Sequence, residues 1–130
     1  LLEDMRKPSG NSAFRRHRVE LEFLEALRTR LPRHTPTLEA LGHLYTRVGK
    51  YEEGLRVDFD ITRLKPDEPE AWYNLACSLA MVGRKDDAFA ALEKAIDLGY
   101  SDFAWMSRDP DLKPLQGDPR LARLGLRISN

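Results

Sequence analysis

Apolar residues recur every three or four positions over most of the chain, a spacing that predicts amphipathic helices. Residues 71–99 contain two such stretches, AWYNLACSLAMV and KDDAFAALEKAIDL, separated by Gly83. Residues 35–64 have the same organisation, with Gly49 between the stretches. Glycine at such a point lets the chain leave a helix through a left-handed backbone conformation. The pattern therefore predicts two helix–turn–helix units.

Prolines and capping residues mark the predicted helix ends. Thr35 and Pro36 supply an N-cap and a first-turn proline for a helix that runs to Gly49. A second helix follows from residue 51 to residue 64, and Pro66 stops it. Four apolar side chains are available to pack this second helix: Leu55, Val57, Ile61 and Leu64.

An earlier helix is predicted over residues 14–30, with Ser12 as its N-cap. Pro8 and Gly10 interrupt any helix begun before it, so residues 1–13 are expected to form a frayed arm or the stub of a helix. Spacings of three and four place five apolar residues on one face of the 14–30 helix and its end: Val19, Phe23, Leu24, Leu27 and Leu31.

The two helix–turn–helix units are in register at an offset of 34 residues. Large apolar residues align with large ones and small residues with small ones; the pairs are Leu38/Trp72, Leu41/Leu75, Gly42/Ala76, Tyr45/Leu79, Val48/Val82, Gly49/Gly83, Gly54/Ala88, Ile61/Ala95 and Leu64/Leu98. Asp58 departs from the pattern because it stands where Leu92 stands in the next unit. The same offset makes residues 14–34 the second helix of a degenerate first unit. Helix pairs repeated at this period stack into a solenoid.

The tail after Gly99 is predicted to close the stack. Asp109-Pro110 and Asp118-Pro119 each place a capping side chain and a first-turn proline before a short helix. The tail also carries the apolar residues needed to cover the 85–98 helix: Phe103, Trp105, Met106, Leu112, Leu115, Leu121 and Leu124. An uncovered last helix would expose an apolar face to water.

The run WYNLA at residues 72–76, followed by Leu79, Gly83, Ala88, Leu92 and Ala95, is similar to the tetratricopeptide repeat (TPR). Residues 69–102 match this family's pattern well, and residues 35–68 match it nearly as well. The tail, with its DPDL, PL and DPR elements, resembles the closing segment of many bacterial TPR groups. The resemblance implies a single all-α domain, a short α-solenoid of antiparallel helix pairs in a right-handed superhelix, with residues 103–130 as a cap of helices.

In TPR arrays the first helix of each pair lines a concave groove that holds an extended or helical peptide. The 34-residue register assigns Glu39, His43, Thr46 and Arg47 to that face in one unit. The next unit contributes Tyr73, Asn74, Cys77, Ala80 and Met81. The alternative is that these are ordinary solvent-facing residues. The lysine positions of the chaperone-binding TPR clamp hold Glu39 and Tyr73 here, which disfavours an acidic C-terminal tail as the ligand.

The composition excludes several classes of protein. With 42% hydrophobic and 32% charged residues, the 130-residue chain is predicted to fold as a soluble domain. Its 21 basic and 21 acidic residues balance, so neither nucleic acid nor a membrane is an expected partner. Both ends are basic and residues 35–102 are acidic, which favours head-to-tail or antiparallel association unless these charges only solvate helix faces.

Candidate chemistry is sparse. His17, His34 and His43 lack a metal-ligand spacing, the single cysteine has no neighbouring histidine to activate it, and no glycine-rich phosphate loop occurs. We therefore expect no catalytic residue, no cofactor and no metal. The leading hypothesis is a non-catalytic, cytoplasmic protein-interaction module that binds a partner peptide or helix. The alternatives are a self-associating homodimer and the regulatory tail of a larger bacterial signalling enzyme.

Overall fold

The computed structural model describes residues 8–129, with side chains described from residue 15 onward. Its elements are α1 (Pro8–Arg30), α2 (Thr35–Arg47), α3 (Tyr51–Leu64), α4 (Pro69–Met81), α5 (Lys85–Asp97), α6 (Phe103–Met106), a 3₁₀ helix (Pro110–Leu115) and α7 (Pro119–Ser129). Between residues 8 and 129 the structure contains no β-strand. The all-α helical-repeat fold that the sequence predicts is confirmed.

Two helix hairpins, α2/α3 and α4/α5, form the body of the molecule, and α3 packs against α4 to join them. Their turns are equivalent. Gly49 and Gly83 have φ values of 83° and 85°, the left-handed region that a residue with a Cβ rarely adopts. In each turn the next amide donates back across the helix end, Lys50 to the Tyr45 carbonyl at 2.8 Å and Arg84 to the Leu79 carbonyl at 2.9 Å. The turns predicted at both glycines are confirmed.

The apolar core runs from the first hairpin into the C-terminal cap. One cluster lies around Leu38, Leu41 and Val57, all fully buried in the α1/α2/α3 layer. A larger cluster joins α4 and α5 to the segment that follows them, and its fully buried side chains include Leu92, Met106, Leu112 and Leu115. The tail therefore contributes directly to the core of the second hairpin, as a cap requires.

Both Asp-Pro pairs begin short helices as predicted. The Asp109 carboxylate accepts a hydrogen bond from the Asp111 amide at 2.9 Å at the start of the 3₁₀ helix. Asp118 accepts one from the Arg120 amide at 3.0 Å at the start of α7. The 3₁₀ helix packs on α4 and α7 packs on α5, so the cap holds both helices of the second hairpin.

The N-terminal helix differs from the prediction in its start and in its buried face. It begins at Pro8 instead of residue 14, since proline is well suited to a first helical position, where its missing N–H costs nothing. Ser12 thus lies within the helix and is not its N-cap, and residues 1–7 of the predicted arm lie outside the described residues. The side chain buried against α2 is Leu21, whereas Val19 and Phe23 are 63% and 65% exposed.

One further cap prediction was wrong. The N-cap position of α2 is occupied by His34 and not by Thr35, and no side chain caps the helix there. The His34 ring nitrogen Nδ1 instead lies 2.6 Å from the Thr37 hydroxyl, one turn into the helix. Pro36 does stand in the first turn, as predicted.

Candidate functional site: a groove between the hairpins and the cap

A cavity of about 680 Å³ opens between α2, α4 and the cap. Its walls include eight of the nine residues that the sequence assigns to the groove face: Glu39, His43, Thr46, Arg47, Tyr73, Asn74, Cys77 and Met81. Ala80, which the register places on the same face, is instead fully buried and does not line the cavity. The 34-residue register thus brings equivalent positions of two helices to one concave surface.

The eight residues divide into a rim and a floor. Glu39, His43, Arg47 and Asn74 are exposed at the rim, and Thr46 and Met81 are half-buried below them. Tyr73 and Cys77 are buried and form part of the floor. The rim is therefore free to contact a ligand, whereas the two floor residues are held by the protein itself.

Tyr73 joins the second hairpin to the cap. Its ring stacks on that of Tyr100, with 4.4 Å between centroids and 9° between planes. Its hydroxyl donates a 2.7 Å hydrogen bond to the buried carboxylate of Asp109. Burial, followed by this hydrogen bond, raises the pKa of Tyr73 well above its usual range. Tyr73 therefore lines the floor of the cavity as a buried side chain, because the cap folds back over its ring.

Cys77 lies beside the same carboxylate, with its sulfur 3.9 Å from Asp109 Oδ2. Burial raises the pKa of the Cys77 thiol far above neutrality, and the nearby Asp109 charge adds to the effect. A thiol that stays protonated is a poor nucleophile. Cys77 therefore lines the groove floor as a small buried side chain.

Asp58 reaches the cavity from α3 and accepts a hydrogen bond from the Ser78 hydroxyl on α4. Burial raises the pKa of Asp58 to about 6, although the Ser78 hydrogen bond opposes the shift. In the sequence Asp58 appears only as a departure from the apolar pattern, at the position that Leu92 occupies in the next unit. Its departure from the apolar pattern was the available signal that this position faces a polar site.

Sequence reasoning also missed the contribution of the cap. Trp105 is predicted to cover the last helix, but it is 41% exposed and lines the cavity. Tyr100, Asp102, Asp109 and Asp111 line it as well. They follow α5, and the sequence assigns groove positions only to α2 and α4, so that assignment could not include them.

Within the described residues, no set of three or more histidine, cysteine, aspartate and glutamate side chains is arranged to hold a metal ion. Among the described helices, none has both the length and the apolar composition that crossing a bilayer requires.

Comparison with known proteins supports the repeat. Residues 69–101, which comprise α4, α5 and the turns around them, match the family model described as "Tetratricopeptide repeat". A tetratricopeptide repeat is thus detected at residues 69–101. This match covers the hairpin that has the best-preserved pattern. The repeat at residues 35–68, the bacterial type and the closing segment stay predictions that rest on the sequence pattern.

The chain is also similar to a chloroplastic protein of Arabidopsis thaliana. The two are 36% identical over 78 residues, which are 58% of this chain and 23% of the plant protein. The chain therefore corresponds to about a quarter of that relative's length. The relative's name places that protein in the chloroplast and mentions no reaction; a bacterial source and a cytoplasmic location for this chain stay predictions.

Proposed function

We propose that this chain is a non-catalytic protein-interaction module whose groove binds a peptide or helix from a partner protein. One observation carries the proposal: equivalent side chains of α2 and α4 line a single cavity of about 680 Å³. Tetratricopeptide repeats generally mediate protein–protein interaction, and the second hairpin matches that family. The proposal includes no cofactor, metal, nucleic acid or membrane.

The rim residues and the half-buried residues below them have the chemistry that a peptide needs. The Asn74 side chain is exposed and its amide can donate and accept at once, which suits a peptide backbone group. Met81 is half-buried and can adapt its shape to an apolar side chain. His43 and Thr46 face them from α2. A ligand held between the two helices would contact both hairpins at once.

The test must leave the floor intact, because Tyr73 holds the cap. We suggest selecting peptides from a random-sequence display library against the full chain and measuring the affinity of the best peptide for two double variants. Asn74→Ala with Met81→Ala is expected to weaken binding about tenfold or more, as the loss of a polar and an apolar contact would. Glu93→Ala with Leu126→Ala, which removes an exposed polar and an exposed apolar side chain elsewhere, is the matched control. Equal affinity in both variants would exclude the groove as the binding site.

A second candidate, self-association, is favoured by the exposed face of α1. In the 34-residue register Phe23 corresponds to Val57, which is fully buried. Val57 lies against α2, since a Cβ added at Gly42 would sit 3.5 Å from Val57 Cγ1. No helix of the described residues covers Phe23 in this way. We propose that a second copy of the chain covers Phe23 instead.

Sedimentation velocity over a range of concentrations tests self-association. We expect a dimer that Phe23→Glu converts to monomer, because a charge on an apolar contact surface opposes burial. Phe59→Glu, which alters another exposed phenylalanine on α3, is the control and should not change the association. A monomer at every concentration would contradict this candidate. The regulatory-tail interpretation stays a prediction about a longer protein.

A further inference from the structure

Carboxylates dominate the lining of the groove. Among the residues that the structure describes, six acidic residues line it, together with His43 and one arginine, Arg47. The acids are Glu39, Asp58, Glu70, Asp102, Asp109 and Asp111. They come from both hairpins and from the cap, so the negative charge surrounds the cavity. The whole chain has no net charge, so this excess belongs to the groove and not to the composition.

The ion pairs of the described residues lie mainly outside the groove. Asp60 pairs with Arg28, Asp87 with Arg84, and Asp97 with Arg127, at 2.5–2.8 Å. Arg120 binds both Asp86 and Asp118. Of the groove acids, only Glu39 has a basic partner among the described side chains, Lys65 at 3.5 Å. Five carboxylates outside the groove are thus paired with arginines, whereas five of the six in the groove have no basic partner among the described side chains.

Two of these acids have pKa values above the ordinary range of aspartate, mainly because they are buried. Burial raises the pKa of Asp58 to about 6. Burial, and then the neighbouring Asp109 charge, also raise the pKa of Asp111. A cation brought close to either carboxylate would favour its charged form. A cationic ligand would therefore stabilise the charged forms of these two carboxyl groups, which burial disfavours in the free protein.

Aromatic rings stand beside the carboxylates. Tyr51, Tyr100 and Trp105 line the same cavity. An ammonium or guanidinium group is attracted to the face of such rings as well as to carboxylates. Arginine is especially suited, because its planar group can bind a carboxylate through two hydrogen bonds and also stack on a ring. The groove therefore combines two features that recognise the same chemical group.

We infer that the partner of this groove is a basic peptide segment of a protein, in which arginine or lysine side chains enter the cavity between the unpaired carboxylates and the aromatic rings. The inference rests on the proposed function and narrows it from peptides in general to cationic ones. Charge complementarity carries it, because the described groove lining holds six acidic side chains and one arginine, and five of those acids have no basic partner among the described side chains.

The test uses the full chain and the same random-sequence peptide library. Selected peptides are expected to be enriched in arginine and lysine, and the affinity of the best one should fall when salt is raised from about 0.15 M to about 1 M, where charges are screened within about 3 Å. Asp111→Asn and Glu70→Gln should each weaken binding about 3- to 10-fold, as the loss of one partly exposed charge contact would. Asp97→Asn, an outer carboxylate paired with Arg127, is the matched control and should leave the affinity unchanged.

Arg47→Gln gives a result of opposite sign. It removes a positive charge from the groove lining, so a basic peptide should bind more tightly to this variant. Selection of neutral or acidic peptides that still lose affinity with Asn74→Ala and Met81→Ala would overturn this inference and leave the proposed function standing. Failure of every peptide class to bind would overturn both.

Discussion

The two helix hairpins have the same backbone geometry at their turns but differ in one side chain that packs inside them. Their turns have the same positive φ at Gly49 and Gly83 and the same pattern of backbone hydrogen bonds. At one equivalent position, however, the second hairpin has the fully buried Leu92, whereas the first has the carboxyl group of Asp58. The first hairpin thus places an ionisable group where the second has its apolar core.

The difference follows from what packs against each position. Asp58 faces Ser78 of α4, which donates a hydrogen bond to it. In the 34-residue register the counterpart of Ser78 is Leu112 in the cap, and Leu112 is fully buried in the same cluster as Leu92. At this position each hairpin therefore has a side chain of the same polarity as its neighbour: Asp58 contacts the polar Ser78, and Leu92 lies in the same apolar cluster as Leu112. The polar junction is the one that borders the groove.

The largest expected effect comes from placing the acid of the first hairpin in the second. Leu92→Asp would bury a carboxyl group in an apolar cluster without a partner such as Ser78, and we expect a loss of about 4 kcal/mol or more in the free energy of unfolding. Leu92→Met keeps the volume and should cost less than about 1.5 kcal/mol. Urea unfolding followed by circular dichroism measures both. A small loss for Leu92→Asp would mean that the two positions are equally tolerant of charge.

Asp58→Asn tests the same position in the first hairpin and should stabilise the protein at neutral pH. Because the folded-state pKa of Asp58 is about 6, against 3.8 for the free group, the folded protein holds the proton more tightly. Below about pH 4 this group does not lower the free energy of unfolding. As the pH rises from about 4 to about 6, the free energy of unfolding falls by up to about 3 kcal/mol, and it stays at the lower value above that pH. Asparagine does not titrate but can still accept from Ser78.

The measurement is the difference in unfolding free energy between Asp58→Asn and the parent chain at several pH values. The difference should grow by about 1–3 kcal/mol in favour of the variant between pH 4 and pH 8. Asp60→Asn, which alters an outer carboxylate paired with Arg28, is the control and should not reproduce this trend. A difference that does not change with pH would mean that Asp58 is not held in an unfavourable charged form.

The repeat could be predicted from the sequence because its information is local and periodic. The spacing of apolar residues and the glycines at positions 49 and 83 are sufficient for the hairpins, and the fixed offset identifies which positions share the groove face. The face of α1 could not be predicted in this way. Leu21, Phe23 and their neighbours allow more than one apolar stripe, and only the position of α2 decides which one is buried.

The floor of the groove could not be predicted because it depends on contacts between distant parts of the chain. Tyr73 is buried by Tyr100 and by Asp109, which lies 36 residues further on. In the sequence Asp109 is recognisable only as a helix cap, and it does fill that role. Its second role, as the acceptor for the Tyr73 hydroxyl, follows from how the cap folds back over α4.

The smallest expected effect concerns the small residues that the two hairpins place at the same helix contact. Gly54 of α3 corresponds to Ala88 of α5. A Cβ added at Gly54 would lie 3.5 Å from the nearest atom, the Thr46 hydroxyl oxygen, which is an ordinary contact. Since alanine is the better helix former, Gly54→Ala should raise the free energy of unfolding by about 0.5–1 kcal/mol.

The matched control for Gly54→Ala is Gly83→Ala. Nothing lies within 4 Å of a Cβ at Gly83, but the residue has a φ of 85°, so alanine should destabilise the turn by about 1 kcal/mol. Both variants add one methyl group. Comparing their free energies of unfolding in urea separates the effect of the available space from the effect of the backbone conformation. If Gly54→Ala also destabilised the protein, the first hairpin would pack more tightly than the second at this contact, and the alignment of Gly54 with Ala88 would not extend to the spacing of their helices.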